Sequence, residues 1–213
     1  MPRSTSLLPR PAKGEVRVRV AAVGMSALGL QASGLVEAVG PEAGGFAPGD
    51  RVSYRTTKDT VGLRPMLSER DLIGFPKDVP LEKAAALLPF GLLSRTVVKL
   101  QHAIGRGNRV FVAADGLGAD AFVRAWVDDL GGEVVDDAAR ADVVITASDY
   151  EAARRWRYGA GISQQAAADV FQAVRRGVFD CLPITSFKLT DAEKAKSHLA
   201  GASGPVVLVA EAA

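Results

Sequence analysis

Residues 108–137, "NRVFVAADGLGADAFVRAWVDDLGGEVVDD", constrain the fold more than any other stretch of the chain. A short apolar run over 109–113 leads into a glycine-bearing turn. Phe122, Ala125, Trp126, Val127 and Leu130 then recur at helical spacing, Gly131-Gly132 ends that segment, and a second apolar run covers 133–135. Two strands joined through a helix run parallel, because a parallel pair needs a crossover longer than a hairpin turn. The stretch therefore opens a βαβ unit, and the fold class is α/β.

The turn has the spacing of a dinucleotide-binding loop. In Gly116-Leu117-Gly118, the first glycine permits the sharp strand-to-helix turn and the second lets the backbone approach a pyrophosphate. Ala121 stands at the third position, where a small residue lets the helix pack on the strand. Asp136, twenty residues beyond Gly116, is placed to accept hydrogen bonds from an adenosine ribose. A carboxylate there repels a 2′-phosphate and favours NADH over NADPH. Asp115 and Asp120 count against the loop, since a carboxylate beside an anion site works against bound phosphate unless it points away or caps the helix. The alternative reading is a structural turn that holds nothing.

The flanking segments read as further strands and helices. "GEVRVRVAAVG" at 14–24 alternates as a strand with one wet face, and "GLVEAVGPEAGGFAPGDRVSY" at 34–54 reads as strand, turn, strand. Helical spacing over 81–101 is interrupted near Pro89 and Gly91, predicting two helices or one kinked one. Beyond the βαβ start come a strand in "ADVVITAS", a basic helix in "YEAARRWRYG", a helix over 164–176 and a strand in "LPITSFKL". The helix "DAEKAKSHLAG", begun by Thr190 or Asp191, and the strand "GPVVLVAE" close the sequence.

Several function classes are disfavoured. A net charge of +2, with basic residues scattered over 213 positions, gives no nucleic-acid footprint. No apolar run reaches the roughly 20 residues of a membrane span, and the first residues lack the pattern of a secretory leader, so a cytoplasmic protein is expected. One cysteine, Cys181, allows no intrachain disulfide, and with His102 and His198 it shows no short ligand spacing, so no metal is expected.

Taken together, "GEVRVRVAAVG", "GLVEAVGPEAGGFAPGDRVSY", "FPKDVPLEKAAALLPFGLLS", the glycine loop and "ITSFKLTDAEKAKSHLAGASGPVVLV" resemble the medium-chain dehydrogenase/reductase superfamily. The likeness is greatest to its zinc-independent quinone oxidoreductase and polyketide enoylreductase branch, and it covers most of the chain. That resemblance implies a GroES-like β-barrel catalytic domain over 1–95, a shortened Rossmann-like domain over 96–181 and a C-terminal return to the first domain over 182–213. It also implies NADPH or NADH held in the cleft between the domains, no zinc, and a quinone or α,β-unsaturated carbonyl, free or carrier-protein-bound, as substrate. The chain is about a third shorter than typical members. "VGMSALGLQASG" replaces a longer substrate-facing segment, and Leu93 stands where the family has a threonine near the nicotinamide. "VVITASDYEAARRWRYGAG" is similar to the family's second strand and following helix. In that register Ser148, Arg154 and Arg155 would bind a 2′-phosphate.

Three hydroxyls are candidates for the chemistry. Tyr54, after "GDRV", could donate to a substrate carbonyl or enolate, or be an ordinary strand tyrosine with its hydroxyl at the surface. Ser26 and Ser94 could donate to a bound oxygen, or simply mark lost active-site residues. "RRWRY" at 154–158 reads either as a phosphate-binding run or as a solvated helix face with Trp156 buried. These residues fit three functions: a minimal reductase, a non-redox cyclase or isomerase of a polyketide-like enone, and a catalytically silent binding protein.

Overall fold

The computed structural model describes residues 8–57, 64–114, 118–155, 163–199, 201 and 204–210. In chain order the elements are β1 (Glu15–Ser26), β2 (Gly29–Val39), β3 (Arg51–Thr56), β4 (Met66–Ser68), β5 (Ile73–Gly74) and α1 (Leu81–Arg95). They continue with β6 (Arg109–Val112), α2 (Ala119–Asp129), β7 (Glu133–Val135), β8 (Val143–Ile145), α3 (Ala147–Arg155), α4 (Ser163–Arg175), β9 (Thr185–Lys188), α5 (Ala192–Leu199) and β10 (Val206–Val209).

The strands form two sheets. A seven-stranded mixed sheet has the order β5-β3-β2-β1-β10-β9, with β4 also paired to β1. A three-stranded parallel sheet has the order β7-β6-β8. The alternation in β1 explains how the larger sheet is covered. Val16, Val18 and Val20 point into one apolar cluster with Val36, Val52 and Leu208. An irregularity in pairing between Val20 and Ala22 then shifts the phase, so that Val23 and Met25 point inward instead. Past that point the outer face of β1 is buried too, because α1 lies on it.

α1 is apolar all round, as a helix enclosed by the rest of the fold must be. Every residue from Ala84 to Ser94 is buried. α1 packs on β1, β2 and β10 on one side and on α2, α3 and α4 on the other. Of the two expected forms, two separate helices are absent: one helix continues through Pro89 and loosens at 96–101, as a π-helical turn. Pro89 has no N–H for the carbonyl of Ala85, four residues back. That carbonyl faces Gly24 of β1, where a Cβ would lie 2.1 Å from the Ala85 oxygen. Strand and helix meet backbone to backbone at the one place where both lack the usual atoms.

Candidate functional site

In the parallel sheet the strand order reverses at β6, with β7 on one side and β8 on the other. The crevice beyond the carboxyl ends of strands at such a reversal is where open α/β sheets bind ligands. Gly118 lies there as the residue before α2, with φ 89° and ψ 10°. This is the left-handed region that glycine adopts freely, and a Cβ at that position would meet nothing within 4 Å. Among the described residues nothing fills the space a side chain at Gly118 would take, and Gly118 and Ala119 each already have an interaction. Asp115, Gly116 and Leu117 lie outside the described residues. Asp120, in the first turn of α2, is not a free carboxylate. Ala119, the first residue of α2, is fully buried, and Ala121 is half-buried.

The two flanks of the reversal carry different chemistry. On the β7 side, Arg124 of α2 reaches back so that Nη2 donates to the carbonyl of Val112 at 2.6 Å. The N–H of Ala113 donates to Ile145 of β8. In a trans peptide the C=O points opposite to the following N–H, so the Val112 carbonyl and the guanidinium on it face β7. Phe111 pairs with Val135, so Val112 and Asp136 are the next residues along their strands, and Asp136 is exposed.

On the β8 side, Thr146, Ser148 and Asp149 open α3. Asp149 Oδ2 accepts from the Thr146 N–H at 2.8 Å and from Thr146 Oγ1 at 2.9 Å, while Oδ1 meets His102 Nε2 at 2.9 Å. Partial burial pushes the Asp149 carboxyl up, but hydrogen bonds from Thr146 and His102 outweigh it and hold the group below the usual carboxylate range. An ionised Asp149 only accepts, so the Thr146 hydroxyl proton is committed to it. Ser148 Oγ, 2.8 Å from Thr146 Oγ1, must then donate to Thr146 and present lone pairs outward. A phosphate also offers lone pairs. In the sheet β8 lies on the opposite side of β6 from β7. Arg154 and Arg155 sit in the last turn of α3, six or more residues from Ser148, about 9 Å or more at 1.5 Å per residue. They do not converge with Ser148 on one phosphate. Trp156 lies outside the described residues.

The three candidate hydroxyls do not converge either. Tyr54 is 1% exposed and sits neither at a cleft nor at the surface. It packs with Val16, Val23, Ala32 and Val52, because on β3 it shares the inward face with Val52. Its hydroxyl has no hydrogen-bond partner among the described residues, and burial pushes its pKa up to about 12. Ser94 is fully buried in α1 and donates to the carbonyl of Phe90 at 2.6 Å, four residues back, so its proton is spent within the helix. Ser26 closes the hairpin between β1 and β2: it accepts from the Leu28 N–H at 3.1 Å and lies 3.3 Å from the Gly29 carbonyl. Sequence reasoning missed Thr146, Asp149 and Arg124 as polar groups at the sheet end, and it treated His102 only as a surface imidazole. No short-range signal marks the His102–Asp149 pair, whose members are 47 positions apart.

Comparison with known proteins places this arrangement. A quinone oxidoreductase from Pseudomonas aeruginosa is 29% identical over 144 residues, a segment covering 59% of this chain and 44% of that protein. The matched part is thus less than half of the curated relative. Among solved structures, a 2-haloacrylate reductase superposes with a TM-score of 0.74 at 18% identity, covering 96% of this chain and 94% of that one. An Escherichia coli quinone oxidoreductase complexed with NADPH gives 0.69 at 17% identity, covering 95% and 93%. The chain is thus similar to a quinone oxidoreductase over the matched segment and shares the fold of these reductases. No family model matches it.

Against the family that the sequence resembles, the chain is short. Ala27-Leu28 is a two-residue hairpin turn, Ser26 pairing with Gly29, where the family resemblance implies a longer segment facing substrate. Among the described residues no group of three or more His, Cys, Asp or Glu is placed to hold a metal ion, and no helix is long and apolar enough to cross a membrane.

Proposed function

We propose that the chain is a zinc-independent NAD(P)H-dependent reductase of a quinone or an α,β-unsaturated carbonyl. In this reading the seven-stranded sheet is the GroES-like catalytic unit, and the parallel sheet is a Rossmann-like unit reduced to its first strands. The carrying observation is Gly118, left-handed at the start of α2, beyond the carboxyl end of β6 where the strand order reverses. The α2 N-terminus would face the coenzyme diphosphate, Arg124 and Asp136 would flank its adenosine half, and Ser148 would accept from a hydroxyl or amide. Bound coenzyme supplies the hydride; the chain's own part is to orient it against the substrate.

The test is calorimetric titration with NADPH and NADH, followed by loss of reduced-coenzyme absorbance on adding a quinone. Submillimolar binding and turnover are expected, with Gly118→Asp abolishing both while the fold persists. No binding of either coenzyme overturns the reading. A second reading, a coenzyme-binding protein without turnover, is favoured by the engagement or burial of Tyr54, Ser26 and Ser94. Binding without oxidation would select it.

A further inference from the structure

Besides Tyr54, three polar side chains are buried in the seven-stranded sheet among the described residues: Gln31, Ser33 and Ser53. Both serine protons are spent. Ser33 Oγ donates to the carbonyl of Leu81, the first residue of α1, at 2.7 Å, and Ser53 Oγ donates to the carbonyl of Ala32 at 2.9 Å. With its proton committed, Ser53 Oγ can only accept from Gln31, so the group 2.8 Å away must be the amide nitrogen, Nε2. The Gln31 amide oxygen is then turned elsewhere and meets no donor among the described residues. It is not sealed in: the buried side-chain atoms that lack both a partner and contact with solvent are the Tyr54 hydroxyl and Trp126 Nε1. A side chain only 3% exposed, anchored at its nitrogen, therefore ends in an acceptor at an opening.

The opening is on the face of the sheet turned toward the helices. Directly opposed residues of an antiparallel pair share a face. Gln31 is opposite Gly24, where a Cβ would strike the Ala85 carbonyl of α1, so Gln31 projects beside the contact between β1 and α1. Leu28, in the adjoining hairpin turn, packs against the cluster of helices and parallel sheet. We infer that Gln31 determines specificity: its amide oxygen accepts from a hydroxyl on the substrate, so the chain takes hydroxylated enones or quinones in preference to those without a donor. The inference rests on the reductase reading above and adds what its substrate carries. Binding strips water from this oxygen. A ligand hydroxyl replaces the lost hydrogen bond, whereas a ligand without a donor leaves a buried acceptor unpaired.

The probes are benzylideneacetones hydroxylated on the ring at the ortho, meta or para position, each compared with its methyl ether, which keeps the oxygen and loses the proton. Calorimetry on the wild-type chain, with and without NADPH, is expected to show at least one hydroxy compound bound about tenfold tighter than its ether. KM for NADPH-driven reduction should follow the same ratio. Gln31→Met keeps the length of the side chain and removes the amide; it is expected to bring that ratio to about one. A wild type that treats every pair alike overturns the inference, as does a preference that survives Gln31→Met. Should Gln31→Met fail to fold, Ser53→Ala decides: it releases the amide nitrogen and is expected to lower the ratio, and an unchanged ratio overturns the proposal. Turnover with every pair alike keeps the reductase reading and removes the inference. Gln31-dependent selection in calorimetry without turnover leaves Gln31 as the selecting group and removes the reductase reading.

Discussion

Tyr54 shows how a residue type that suggests catalysis can be a liability of packing. An unpartnered phenol in an apolar interior costs stability, because its hydroxyl gives up water and gains nothing. Tyr54→Phe is therefore expected to raise stability by about 1 kcal/mol in denaturant titration and to leave the proposed coenzyme turnover unchanged. A fall in turnover with the fold intact would return Tyr54 to the chemistry. The same residue sets an alkaline limit. Its pKa is raised from 10.0 to about 12 in the folded chain, so the folded state holds the proton more tightly. That contribution is complete below pH 10 and is lost as pH rises through 12, at about 1.4 kcal/mol per pH unit within the window. Tyr54→Phe should flatten the alkaline arm of the stability curve between those values. None of this was legible in "RVSYRT", because β3 is buried on both faces over Val52, Ser53 and Tyr54, and alternation then gives no inside and outside. Ser94 was opaque for a related reason: a serine inside an enclosed helix donates to its own backbone.

At the level of elements, most of the sequence reading rested on period, and period survived where one face is wet. β1, α2 and α4 lie close to where alternation or helical spacing put them. Pro89 does not split the helix, because its local preference is offset by contact with a distant strand. The proline frees the Ala85 carbonyl, and Gly24 receives it without a side chain. Gly24→Ala should cost about 3 kcal/mol or more, since the 2.1 Å approach is to backbone and neither partner can step aside. Equilibrium unfolding of the purified variant measures it. Pro89→Ala, which restores an N–H for Ala85, should not rescue the loss, because the obstruction is steric. A Gly24→Ala chain as stable as wild type would mean that β1 and α1 are not in this contact in solution.

Across the whole molecule there are two apolar clusters, one inside the seven-stranded sheet and one in which α1 packs with α2, α3, α4 and the parallel sheet against Ala22 and Val207 of the larger sheet. The first is built largely from long strands and a closing pair, β9 and β10, whose parallel pairing the sequence could not reveal because it depends on residues at opposite ends of a crossover. The second rests on strands of three or four residues, with β8 pairing only to β6. Carboxylates reinforce both ends of β8. Asp142 accepts from the backbone and guanidinium of Arg109, which lowers its pKa to about 2, and Asp149 is held below its usual value at the other end. Depressed carboxylate pKa values make a contribution that is present above the unfolded value, about 4, and lost as pH falls through the folded value. The parallel sheet should therefore loosen before the larger sheet as pH drops from about 4 toward 2. Trp126 of α2, buried in the second cluster, reports it by fluorescence, while amide exchange in β1 and β2 reports the larger sheet. Trp126 emission shifting while β1 and β2 amides stay protected is the expected result. Simultaneous loss of both would show that the two clusters are coupled too tightly for either to open alone, and the proposed coenzyme crevice would then be as rigid as the sheet beside it.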